Sequence, residues 1–595
     1  MCLKPRSLLP IPDDTRAVAE QIYPPDHPMR RLGAEFADVL CDQDFADLYS
    51  STGQPALSPA LLALVTVLQA TEHCSDRVAA EMVRSRIDWK YALHLPLSYP
   101  GSDASALCEF RQRLVAHHAE RRVFDAFLRR LKERGFLKGR AVQRTDSLAI
   151  IAAVRELDLL ELVMETLRLA LKAVVQHDPA WQKAHIPDAW LQNYGPWTQA
   201  ERLIRESGPR ASAEARRLLS RAGQDGFALL DALDADEAAQ LRDLAAVEVL
   251  RTVWTQQYQR SDPQRVPIPN TPSTEADKDA ETETKANADV TIRSSVQTRP
   301  APALEDGQRG HVIITPHDPQ ARWATKQDHA WGGYKLHLTE TATEDAPLLI
   351  TDLDIVAAAV HDSQAVTSIQ QRLQACDLLP DTHLADAGYV NGLTIQSSLG
   401  FGVNLLGPIS ADTVGTARKD TTFPSEAFTI NVENQQATCP GGHSARLWSL
   451  YQHSSRKGRS LVAIAWDKKD CSQCPLRQQC LPPRQIQRVL RLSPYYTLLT
   501  TRRMEQKTPA FRERYRRRAG IEATFSHLVN VHRARRTPYC GSAKTLCYYA
   551  ALAVGVNLRR VALWEAGHRP QRKRFTYLSR VLVNQSALKE PERAC

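Results

Sequence analysis

Three acidic residues lie far apart in the chain, each in a distinctive setting: Asp146 in Arg-Thr-Asp-Ser, Asp386 in Leu-Ala-Asp-Ala-Gly-Tyr, and Glu522 in Tyr-Arg-Arg-Arg-Ala-Gly-Ile-Glu. Brought together, three carboxylates would form an oxygen cage for Mg²⁺ or Mn²⁺, hard cations that take carboxylates and water. Two such ions can clamp the attacking and the leaving oxygens of a phosphodiester. A second constellation is rich in thiols. Cys439-Pro-Gly-Gly-His443 is followed by Cys471, Cys474 and Cys480. Four thiolates, two of them three positions apart, suit one tetrahedral structural Zn²⁺, and His443 could replace Cys439 or Cys480. Free structural cysteines are the alternative.

Around the last acid, Phe511, Tyr515, Arg518, Glu522, Phe525 and Val529 recur at three- and four-residue spacing, which predicts one face of one helix. An Arg518–Glu522 surface pair at i,i+4, worth about 0.2–0.5 kcal/mol, accounts for the spacing alone. Charge density points further. From Arg502 to Arg536 there are eleven Lys or Arg and three acids. Phosphate contacts dominate affinity for DNA. Arg516, Arg517, Arg533, Arg535 and Arg536 are therefore candidate backbone contacts. Asp352, Asp354 and Asp362 compete with Asp386 for the second acidic position. Asp386 has the better setting, because Gly388 lets the chain turn sharply beyond it.

The elements that must position these groups can be read coarsely. Residues 15–135 read as helical. Ser58-Pro59 is a helix start, with Ser as cap and Pro at the first turn. Leu61, Leu62, Val65 and Leu68 follow as an apolar stripe. Further helices begin near Ser75-Asp76-Arg77 and after Gly101-Ser102-Asp103. A helix-turn-helix-like DNA-binding unit and an ordinary bundle both fit. Residues 136–156 hold a basic strand ending near Asp146, and 157–258 an inserted helical stretch. Residues 259–308 carry almost no large apolar side chains and read as a disordered linker. Strand and helix signals alternate over 309–415, including a short strand ending at Asp386. That alternation implies a mixed α/β sheet. Ligands collect at strand carboxyl ends in such sheets, which is where Asp146 and Asp386 are expected. Residues 416–490 form the Cys-rich insertion, 491–565 C-terminal helices, and 566–595 a basic tail.

The length of 595 residues suggests roughly three to four units. A 43% apolar composition supports real cores, and a net charge of +9 favours a polyanionic partner. The N-terminus is broken by proline before an apolar core could form, so it is not a signal peptide. No apolar run reaches about 18 residues, so no membrane span or membrane partner is expected. A cytoplasmic setting follows, in which the 12 cysteines form no disulfide framework.

The chain resembles the DDE transposases of bacterial insertion sequences, most closely the IS-eleven-eighty-two type. Asp146 after a basic strand carries the likeness, as does Asp386-Ala-Gly-Tyr389, which fits an Asp-x-Gly-Tyr/Phe motif. Tyr515-x2-Arg518-x3-Glu522 fits the first part of the Tyr-x2-Arg-x3-Glu-x6-Lys signature; Val529 stands at the lysine position. The N-terminal helices and Gly333-Tyr-Lys335 add to the match. The resemblance implies an RNase H-like catalytic domain behind an all-α N-terminal DNA-binding domain. It implies Asp146, Asp386 and Glu522 as ligands of two Mg²⁺ or Mn²⁺ ions, with Tyr515 and Arg518 toward DNA. It further implies binding of the element's terminal inverted repeats, cleavage and strand transfer into target DNA, and a homodimer on double-stranded DNA at the nucleoid. Alternatives are a catalytically silent copy acting as a sequence-specific regulator, kept open by Val529, and a metal-dependent nuclease of the same fold.

Overall fold

The computed structural model describes residues 2–5, 10–36, 40–155, 157–195, 209–234, 239–260, 290–292, 312–326, 329–410, 423–432, 434–452, 460–482 and 484–569. Most of the expected linker at 259–308 and all but the first few residues of the basic tail lie outside them. Residues 258–260 and 290–292 pair as two short antiparallel strands.

The N-terminal helices follow local signals. Ser58 caps Pro59–Glu72 by accepting from the Leu61 amide at 3.2 Å, and Ser75 caps Asp76–Ser85 in the same way. Helix Ser105–Ala116 buries Phe110, Arg111 and Leu114. Arg111 is ion-paired to Asp76 at 2.8 Å and lies over the Tyr539 ring. These helices share one continuous apolar core with the sheet and with the long helix Ser542–Glu565. That helix passes the length and composition test for a membrane span, but 72% of its apolar window is buried inside the molecule. Its apolar character is that of a core helix.

The central sheet has six strands: β1 (Gln143–Ile151), β2 (Arg322–Lys326), β3 (His329–Thr341), β4 (Ile350–Ala357), β5 (Thr382–Leu384) and β6 (Asn404–Leu406). They run β2–β3–β1–β5–β6, with β4 also paired to β3. Pairing is antiparallel between β1, β3 and β4, and parallel from β1 through β5 to β6. This mixed sheet fits an RNase H-like arrangement.

Two insertions interrupt it. Between β1 and β2, helices from Leu159 to Gln257 enclose a separate core around Leu167, Leu171, Leu250 and Trp254. After β6, a three-stranded antiparallel sheet (Leu447–Gln452, Ser460–Ala465, Val489–Leu492) packs Phe428, Ile464, Trp466 and Leu490 together.

Two expectations need correction. Asp146 is the fourth residue of nine-residue β1 and lies opposite Leu338, so it is in the strand and not at its end. The stripe from Phe511 to Val529 is not one helix. It is a helix (Pro509–Tyr515), a 3₁₀ turn (Arg516–Gly520) and a second helix (Ile521–His532).

Candidate active site

Parallel pairing of Arg144 with Leu384 sets β1 beside β5, so Asp146 and Asp386 arrive on the same side of neighbouring strands. Asp146 is buried, its side chain 9% exposed. Burial pushes its carboxyl above the usual range and the charge of Asp386 adds to the rise; the Ser147 amide and Arg518 pull the other way. Asp386 sits two residues past the end of β5, half-buried, and accepts from the Gly388 amide at 2.8 Å. Gly388 does not occupy the left-handed region; its role is steric. A Cβ there would stand 3.1 Å from Asp386 Oδ1 and 3.2 Å from Asp362 Oδ2.

Glu522 begins the helix Ile521–His532 with its side chain 62% exposed. Arg518 joins it to the first acid. One guanidinium nitrogen donates to Asp146 Oδ2 at 2.6 Å and the other to Glu522 Oε1 at 3.3 Å. The Arg518–Glu522 contact is thus the i,i+4 pair that spacing allows, extended to a residue 372 positions earlier.

The competing acids separate clearly. Asp352 is buried between Arg121 (2.6 Å) and Arg372 (2.8 Å), and Arg372 also holds Asp354 at 3.0 Å. Asp362, by contrast, is beside Asp386 and paired to Lys335 at 3.0 Å. Tyr389 is buried and its hydroxyl meets His337 Nδ1 at 2.6 Å. Burial lowers the His337 pKa to about 4, which keeps the ring neutral.

Of the candidate DNA contacts, Arg516 and Arg517 are exposed on the 3₁₀ turn, in ion pairs with Glu513 (2.7 Å) and Glu344 (3.9 Å). Arg533, Arg535 and Arg536 are exposed just beyond the Glu522 helix, and the Arg535 carbonyl accepts from Ile151 of β1 at 2.9 Å. Tyr515 is half-buried and stacks on Phe511 at 5.5 Å. Val529 packs against the main core.

Sequence reasoning missed Arg144 and Glu340, a buried pair on β1 and β3 beside these acids. Period-two alternation places Arg144 on the face of Asp146, and that signal could have found it.

Cys439, His443, Cys471, Cys474 and Cys480 line one cavity with Trp466 and Arg488. Burial raises the Cys471 and Cys480 thiols, and the neighbouring thiols raise them further. Among the described residues, no three His, Cys, Asp or Glu side chains close into a metal-ligand set. The carboxylates and the thiols are neighbours and not finished cages.

Residues 438–562 match the family described as "Transposase DDE domain", and residues 17–113 match "Transposase domain (DUF772)". The first match includes Glu522 and most of the Cys-rich segment but begins after Asp146 and Asp386. Comparison with curated proteins and with solved structures returned no match. Both matched models describe transposase domains and point to a DDE-type transposase family; such a family implies DNA partners, and its domains generally use divalent metals.

Proposed function

We propose that this chain binds the terminal inverted repeats of an insertion sequence of the IS-eleven-eighty-two type, cuts the DNA at those ends and joins them to a target. The reading rests on one observation above all: Arg518 ties Asp146 to Glu522 at 2.6 and 3.3 Å while Asp386 follows just after the adjacent strand. Asp146 is thus joined through Arg518 to an acid 376 positions later in the chain, near exposed arginines on the 3₁₀ turn.

Asp146, Asp386 and Glu522 would hold two Mg²⁺ or Mn²⁺ ions, and the all-oxygen donor set suits those cations. When bound, they supply the positive charge that activates water or a 3′-hydroxyl and stabilises the leaving 3′-oxygen. In their absence Arg518 supplies the counter-charge. Arg518 would orient Glu522 or contact a DNA phosphate. Arg516, Arg517, Arg533, Arg535 and Arg536 would grip the backbone, with Arg533 substituting for the lysine that Val529 replaces. Tyr515 would contact DNA from its stacked position against Phe511. Cys439, Cys471, Cys474 and Cys480 would hold one structural Zn²⁺ that braces the insertion. Two copies acting on two ends imply a dimer on DNA.

The test is a plasmid carrying both element ends, incubated with Mg²⁺ or Mn²⁺. End cleavage and joining are expected, with a loss of at least about a hundredfold in Asp146→Asn, Asp386→Asn and Glu522→Gln, the scale of removing a charge-stabilising group from a reaction centre. Cleavage that survives Asp146→Asn or Glu522→Gln sinks the assignment. Specific binding of the ends without cleavage by the unaltered protein favours a silent, regulatory copy.

A further inference from the structure

A single buried carboxylate holds both ends of the segment that carries Arg518 and Glu522. Glu340 on β3 is fully buried and lies directly across from Arg144 of β1. Arg144 donates from Nε and Nη2 to Glu340 Oε1 at 2.8 and 2.5 Å. Its remaining nitrogen, Nη1, donates to the Arg517 carbonyl at 2.7 Å. The other oxygen of Glu340 accepts from Thr524 Oγ1 at 2.6 Å and from Arg560 Nη1 at 2.9 Å. Arg560 Nη2 in turn donates to Thr524 Oγ1 at 2.5 Å. Arg517 precedes Arg518, and Thr524 lies two residues after Glu522. The segment between them is pinned at both ends.

The packing beneath it is equally close. A Cβ on Gly520 would fall 2.1 Å from Arg144 Nη1, so the chain can pass over the guanidinium only because residue 520 has no side chain. Burial opposes ionisation of Glu340, yet Arg560 and Arg144 hold its carboxyl below the usual range. Buried ions of this kind are poor stabilisers, since apolar residues of equal volume often serve as well. What they add is direction, because a guanidinium fork meets a carboxylate at a fixed angle.

We propose that Glu340 is a positioning residue: through Arg144, Thr524 and Arg560 it sets the register between the strand bearing Asp146 and the segment bearing Arg518 and Glu522, and thereby the divalent-ion affinity of the site. The inference rests on the metal-holding reading above. Glu340, Arg144, Thr524 and Arg560 are outside the set of ligands and DNA contacts proposed above.

The experiment is a Mn²⁺ titration of the full chain followed by electron paramagnetic resonance, with thermal unfolding and end-DNA binding in EDTA measured in parallel. Glu340→Gln is expected to weaken Mn²⁺ binding by about tenfold, the usual scale for removing an outer-shell partner, with end-DNA affinity in EDTA within about threefold. Gly520→Ala, which displaces Arg144, should shift Mn²⁺ affinity in the same direction. Asp352→Asn disrupts a different buried ion cluster and serves as the control: it should lower the unfolding temperature and leave Mn²⁺ affinity unchanged. If Glu340→Gln fails to fold, Thr524→Val removes one of the same bonds and should give a smaller shift in the same sense. An unchanged affinity in Glu340→Gln and Gly520→Ala, or an equal loss in Asp352→Asn, overturns the positioning role alone. If the unaltered protein binds no Mn²⁺ that Asp146→Asn abolishes, the metal reading fails and this inference falls with it.

Discussion

Arg518 is the side chain through which the candidate site is coherent without a metal. Asp146 is buried, and the neighbouring Asp386 makes its charge costlier. A guanidinium at 2.6 Å offsets that cost. Arg518→Ala should therefore destabilise the fold by about 1–3 kcal/mol in EDTA, the scale for leaving a buried polar group without its partner, since the Asp146 carboxyl can take up a proton. Millimolar Mn²⁺ should narrow the difference, because an ion among the same carboxylates replaces the missing counter-charge. Thermal unfolding of both proteins with and without Mn²⁺ measures this directly. An equal deficit in both conditions would show that Arg518 and the ion do not share a site. The i,i+4 spacing of Arg518 and Glu522 was visible in the sequence as a pair worth little. Its third member was not, because nothing local to Arg518 announces a strand 372 residues away.

Elements differ in how far their own residues declare them. Ser58 and Ser75 mark helix starts by accepting from the amides of Leu61 and Val78, and Pro59 fits the first turn because it has no amide hydrogen to leave unpaired. The strands after residue 330 likewise follow from β-branched and alternating side chains. β1 is harder to read because the centre of the sheet buries both its faces, leaving little alternation. The stretch from Phe511 to Val529 misleads for another reason. Its stripe is continuous in sequence, yet the backbone tightens into a 3₁₀ turn where Gly520 crosses Arg144. That constraint is a tertiary one. The Cys-rich insertion is the opposite case, with spacing that bears on a single function. Its core is small, built around Phe428, Ile464, Trp466 and Leu490. A small core of this kind commonly needs a metal or disulfide staple. We expect about one zinc per chain by elemental analysis, the stoichiometry of a four-thiolate site. Cys474→Ser should loosen the insertion first, read as faster proteolysis between residues 423 and 492 with the central sheet still protected. Absence of zinc together with normal folding of Cys474→Ser would dispose of the idea.

At the scale of the whole molecule, the N-terminal helices and the central sheet do not behave as beads on a string. Helix Pro59–Glu72 packs on Ser542–Glu565, so closely that a Cβ on Gly555 would stand 2.1 Å from Thr71 Oγ1. His73 reaches Tyr548 at 3.0 Å, and His532 of the Glu522 helix reaches the Thr71 carbonyl at 2.8 Å. On its other side the same long helix anchors β4 through Asn557, which exchanges two 2.8 Å bonds with the Ile350 backbone. One apolar core therefore runs from the first helices through Ser542–Glu565 into the sheet that carries Asp146. A fragment beginning at residue 136 would leave the N-terminal side of that helix facing water. Such a face, apolar along 24 residues, is an aggregation liability. The fragment is expected to lose the cooperative unfolding transition of the full chain and to cut neither specific nor nonspecific DNA. Calorimetry and a nicking assay on the fragment decide the matter. A fragment that melts cooperatively and retains metal-dependent nicking would mean that the N-terminal helices only choose where the enzyme acts. Loss of both would mean that the N-terminal helices complete the core on which the acids are mounted, whatever else they do.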